Sequence, residues 1–235
     1  MAKLTIDNTL LSSLIDDVMP LVSSVTGWEL QLTSLHSRVL PKEQGYEAIL
    51  IGRFNHIGIQ GWDEMMPDFL ERMIEYLIEE NTLAAYLPGA GEIVVIRENV
   101  DDSNMDGLRL ILAHELVHRS QHMAHGSLFS HVDNLLRQAF LEMKSDIANI
   151  QRIRLIFEQI QPIMTLLESH ATYIQGFLKQ TYFLDARVET HFNIASLLMR
   201  LVGMPKIAQY TDGIPQVAAA AKSGNIESLY AGFGG

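Results

Sequence analysis

Residues 111–126 read ILAHELVHRSQHMAHG, and the fold assignment turns on whether this stretch is a helix. On a helix, His114 and His118 lie on one face about one turn apart. Both imidazoles can then grip one metal ion while Glu115 reaches a water bound to it. The flanks support helical context. Ser103 is followed three residues later by Asp106, which resembles a capping box with Asp in place of the usual Glu. Leu108, Ile111, Leu112 and Leu116 then form an apolar stripe, and Gly126 is the expected C-terminal stop. Just before the helix, residues 92–100, EIVVIRENV, are short, β-branched and bounded by turn signals, which predicts a strand. Strand followed by helix is the order expected where an edge strand borders a metallohydrolase cleft and pairs with an extended peptide.

Working outward, residues 8–25 carry leucine, isoleucine and valine at helical spacing, with Gly27 closing the element. Residues 28–40 alternate well enough to predict a strand ended by Pro41, with His36 read as an exposed or hydrogen-bonded histidine. Residues 44–55 fit helix or strand equally, and Gly58 and Gly61 mark a turn. Residues 68–87 predict a helix whose wet face is Glu71, Glu75, Glu79 and Glu80. The second half is helical by pattern: residues 130–160, a segment that starts or kinks at Pro162, 184–202, 206–221 and 226–233. No internal repeat or low-complexity linker divides the chain. The expectation is one α+β, mainly α domain over residues 1–235, with a small N-terminal sheet (1–102) and a helical part carrying the metal site (103–235).

Composition narrows the function. The chain has 235 residues, 48% of them apolar, enough for a genuine core. A formal net charge of −11 without clustered Lys and Arg argues against nucleic acid as the main partner. There is no Cys, so any metal must be held by His and carboxylates. The first residues do not have the build of a signal peptide, and no apolar run approaches the ~18 to 20 residues of a membrane span. A cytoplasmic protein that does not engage a membrane is expected. The residues carry no signal for oligomeric state.

Two histidines leave a catalytic zinc site one protein ligand short. A third His at metzincin spacing is absent: Gln121 and Ala124 occupy the corresponding positions, and His125 falls one residue late. Two carboxylates remain open. Glu142, in LEMKSD, suggests an E-x-x-S-D arrangement in which Asp146 orients a ligand His, although both acids also suit the exposed face of an amphipathic helix. Glu168 lies on a far more apolar helix, where a carboxylate needs a partner or a metal. His122 follows His118 by one turn, but three protein groups and a water usually fill a zinc site. His125 and His131 read as surface or loop residues, and His56 and His191 have no motif partner.

HELVH, followed by LLESHATYIQ and MPKIAQYTDGIPQVAAAAKSGNIESLY, resembles the zinc-dependent metallopeptidases of bacteria and archaea. These carry an H-E-x-x-H helix, a downstream L-L-E-G-H-A helix and a terminal K-x-x-Q-Y-x-x-G segment. The resemblance spans roughly residues 92–233. It implies a zincin-like fold of gluzincin type, with His114, His118 and Glu168 as zinc ligands and Glu115 as catalytic base. It also places His170, Tyr210 and Lys206 near the cleft. Ser169 replaces the usual Gly, Thr172 and Gly176 stand where Asp is common, and the loop between the two motif helices is shorter. These departures leave the ligands intact. The implied activity is hydrolysis of an amide in a peptide or protein, with His170 or Tyr210 as donor to the oxyanion. The competing class is a catalytically inactive zincin-fold module that binds metal or a protein partner.

Overall fold

The computed structural model describes residues 6–30, 35–61, 68–101, 103–145, 150–187 and 213–233. Helix α1, Asn8–Thr26, starts where the Asp7 carboxylate accepts the Leu10 N–H at 2.8 Å. It ends at Gly27, whose φ of 73° is the left-handed conformation that glycine adopts at least cost. Among the described residues of the expected 28–40 strand, only His36–Leu40 is strand, β1, and residues 28–30 are not, a correction; residues 31–34 lie outside the described residues. Earlier in that stretch, side chains take the backbone donors that a ladder would use: Thr26 Oγ1 accepts the Trp28 N–H and Ser23 Oγ the Leu30 N–H.

The undecided stretch is helical throughout, as a 3-10 turn (Lys42–Gln44), a π turn (Glu47–Ile51) and the short α2 (Gly52–His56). Helix α3 covers Asp68–Asn81 and stops well short of residue 87, because Ala84–Leu87 is strand β2, paired antiparallel to β3, Glu92–Ile96. The Asn99 amide donates to the carbonyls of Glu79 and Thr82, at 2.6 and 2.7 Å, and so closes the helix end. The strand order is β1-β3-β2, with β1 and β3 parallel. The strand that leads to the motif helix is therefore the middle one, and its final residues turn into a 3-10 helix, Arg97–Asn99. The edge strand facing that helix is β2.

Side chains of β3 alternate between two cores, as strand geometry requires. Ile93 and Val95 join α1 and helix α4, Met105–Ala124, whereas Val94 and Ile96 join α2, α3, helix α5 (Gly126–Ser145) and the first half of α6 (Ile150–Tyr182). All four are fully buried, each contributing about 1.5–3 kcal/mol relative to exposure. The N-cap of α4 is Asn104, which accepts the Gly107 N–H at 3.0 Å, and not Ser103, which instead donates to the Asp101 carboxylate. Gly126 does not stop α4 but opens α5.

Pro162 lies inside α6, a single helix of 33 residues and about 50 Å. Its residues up to Leu167 belong to one core and those from Ala171 onward to the other. Residues 183–186 form a turn closed by the Ala186 N–H donating to the Phe183 carbonyl, and the expected 184–202 helix beyond residue 187 lies outside the described residues. Two short helices follow, α7 (Ile214–Lys222) and α8 (Glu227–Ala231). The described part is thus mainly helical around a small sheet, the α+β, mainly α architecture expected. No helix among the described residues is long and apolar enough to cross a membrane.

Candidate metal centre

Helix α4 is buried on nearly every side, packed by α1, α6, β2 and α5, so its polar residues need partners inside the fold. His114 and His118 meet Glu168 where α6 crosses α4. The two Nε2 atoms are 3.1 Å apart; His114 Nε2 lies 3.4 Å from Glu168 Oε2, and His118 Nε2 lies 3.6 Å from Glu168 Oε1. A tetrahedral ion with bonds of about 2.0–2.2 Å sets its ligand atoms about 3.3–3.6 Å apart; the two imidazole–carboxylate separations match this and the imidazole pair is slightly closer, so these three side chains could hold one metal ion. The donor set, two imidazoles and a carboxylate, suits a borderline divalent cation.

With no cation present, the charges compensate one another. Burial pulls His118 down, but the adjacent Glu168 carboxylate outweighs it and brings His118 to about 9. Burial likewise works to raise Glu168, and the His118 and His114 imidazoles overcome it, holding the carboxyl well below its usual range. Glu115 behaves differently. Burial lifts its carboxyl above the ordinary value, against the pull of His114 and His118. Its Oε2 accepts the backbone N–H of Tyr86, on β2, at 2.7 Å.

Around the cluster runs a chain of hydrogen bonds. His118 Nδ1 meets Gln121 Oε1 at 2.8 Å, and Gln121 Nε2 donates to the Leu167 carbonyl at 2.9 Å and to the Tyr230 hydroxyl at 3.1 Å. Tyr230 meets His170 Nδ1 at 2.7 Å. His170 is buried, its Nε2 has no hydrogen-bond partner among the described residues, and burial holds the ring down at about 4, hence neutral. Tyr230 comes from α8 and is wedged by the His125 ring, stacked at 4.0 Å, and by the edge of Trp28.

The other expected residues fall elsewhere. Glu142 pairs with Arg152 at 3.5 Å, apart from the cluster, and Glu168 is the carboxylate that the fold brings to the two histidines. His122 is turned to the Tyr86 hydroxyl at 2.8 Å, beside the buried Arg119. His125, expected as a surface or loop residue, sits in the break between α4 and α5 and is half-buried against Tyr230 of α8. His131 and His36 are exposed. Tyr210, Lys206, His191 and Asp146 lie outside the described residues.

Sequence reasoning missed Gln121, Tyr230, Tyr86 and Trp28 as neighbours of the site. Gln121 alone left a local signal, since a residue three after His118 shares its face. Tyr230 lies 109 residues from Gln121, a separation with no periodic signature.

No family model matches the chain, and no curated protein does. A solved structure shares the fold: a candidate hydrolase with a novel fold from Chloroflexus aurantiacus, 16% identical, TM-score 0.60, with 97% of this chain and 83% of that chain covered.

Proposed function

We propose that the chain is a zinc-dependent hydrolase acting on peptide bonds. The observation that carries this reading is the convergence of His114, His118 and Glu168 at zinc-ligand separations with Glu115 beside them. The description of the Chloroflexus aurantiacus protein as a candidate hydrolase is consistent with it. Bound zinc would supply Lewis acidity, polarising an amide carbonyl and making a water acidic near neutral pH.

His114, His118 and Glu168 hold the ion in this reading. Glu115 carries the proton: it takes one from the attacking water and returns it to the leaving amine. The Tyr86 N–H on Oε2 fixes that carboxylate. Burial favours the protonated form of Glu115, which suits a group that must hold a proton and then release it. His170, buried and neutral, is the donor proposed for the oxyanion that develops on the carbonyl oxygen.

Glu115→Gln keeps the shape of the side chain and removes the base. Hydrolysis of a peptide library by the zinc-loaded protein should fall by about 10²–10⁴ while metal content stays near one per chain. Zinc-loaded wild type that cleaves nothing would overturn the hydrolase and leave a metal-binding module.

A further inference from the structure

The hydrogen bonds around the cluster have a direction, and one atom determines it. A backbone carbonyl can only accept, so the end of the Gln121 amide that meets the Leu167 carbonyl must be its NH₂. The amide oxygen then faces His118 Nδ1, which must carry a hydrogen to donate to it. In the neutral ring that binds a metal, this leaves the lone pair of His118 on Nε2, the atom turned toward His114 and Glu168. On the other side, the second NH₂ hydrogen of Gln121 goes to the Tyr230 oxygen. A hydroxyl oxygen can accept twice, but among the described residues His170 Nδ1 is the only acceptor within reach of the Tyr230 hydrogen, so the hydroxyl donates there. His170 can carry its one ring proton only on Nε2, the atom that has no partner among the described residues.

We propose that Gln121 and Tyr230 are positioning residues that fix the tautomers of His118 and His170 together, both set by the Leu167 carbonyl. The same carbonyl group precedes Glu168, so the backbone that delivers the carboxylate also orients the two rings beside it. His118 is held with Nε2 open to a metal, and His170 is held with an N–H available to an acceptor on a ligand. The His118 half rests on the metal reading; the His170 half does not.

Long-range ¹H–¹⁵N spectra of the histidines report the tautomers directly, with His170→Gln identifying the His170 signals. In the metal-free wild type, His170 is expected as the Nε2–H form. In the zinc-loaded protein, His118 is expected with its hydrogen on Nδ1. Gln121→Met should lower zinc affinity about 10–100-fold, the range for losing a partner that orients a ligand, and release the His170 tautomer, so that Nδ1–H appears beside Nε2–H. Tyr230→Phe should keep wild-type zinc affinity, with Nδ1–H appearing on His170. An Nδ1–H tautomer on His170 in the wild type overturns the proposal without any variant. Unaltered zinc affinity in a folded Gln121→Met protein overturns its His118 half. Absence of zinc binding, by contrast, removes the metal reading alone, since the His170 result is obtained on metal-free protein.

Discussion

A carboxylate 5% exposed is costly unless its charge is compensated, and Glu168 finds its compensation in two imidazoles brought from another helix. Glu168→Gln keeps the volume and removes the charge. Its zinc affinity, read by chelator competition, should drop by more than about 100-fold, beyond the effect of losing a mere neighbour of a ligand. Glu142→Gln should match the wild type, because Glu142 pairs with Arg152 and lies outside the group of His114, His118 and Glu168; a larger loss there than in Glu168→Gln would sink the assignment. Next to Glu168, the fully buried Ser169 fits against Gly213. A Cβ on Gly213 would come within 2.4 Å of Ser169 Oγ and 2.8 Å of its Cβ, so the Ser that departs from the resembled L-L-E-G-H-A motif is accommodated by a residue without a side chain. Gly213→Ala should cost about 1–3 kcal/mol of stability by overpacking, and Ser169→Gly in the same chain should restore most of it. Urea melts of the two single variants and the double would show this coupling; simple additivity would refute it.

At the scale of elements, α6 connects the two cores, and Pro162 interrupts its hydrogen-bond ladder at Glu158. Pro162→Ala restores an N–H for the Glu158 carbonyl and is expected to raise stability by about 1–3 kcal/mol without altering zinc affinity. A lower melting temperature would mean that the packing of α6 depends on the proline. The α1 helix and its Gly27 stop were legible because they are local, as was the core of β3. What escaped was whatever another element decides. Residues 84–87 have a helical pattern in isolation, yet pairing with β3 and the Asn99 cap at residues 79 and 82 convert them to a strand. Gly126 carries a stop signal, but His125 ends α4 and the chain re-enters a helix at once. The candidate site divides the same way. His114, Glu115 and His118 are one turn of one helix and could be read directly. Glu168 needed the motif order to be preferred over Glu142, and Tyr230 was invisible because only the docking of α8 brings it to Gln121.

Across the whole molecule, a metal at this crossing would tie α4 to α6, the helix that spans both cores. Its effect on stability depends on pH with a definite sign. His118 is raised from 6.5 to about 9 in the metal-free fold, so its contribution is complete below 6.5 and is lost as pH climbs toward 9. Glu168 is depressed below 4.5, so its contribution is complete above that value and is lost as pH falls through its folded range. The pair therefore stabilises the metal-free protein most between 4.5 and 6.5. Zinc requires His118 without its Nε2 proton, so binding expels a proton and affinity should rise about tenfold per pH unit toward 9. The ion thus gains strength over the range in which the metal-free pair weakens. Melting curves should show the metal-free protein declining from pH 6.5 to 9, and His118→Gln removing that decline. Zinc at about a thousand times its dissociation constant should add about 4 kcal/mol and hold the protein level across the same range. A metal-free wild type whose stability is flat between 6.5 and 9 would show that His118 and Glu168 do not share a proton, and with it would go the close approach of α4 and α6 on which the proposed metal centre depends.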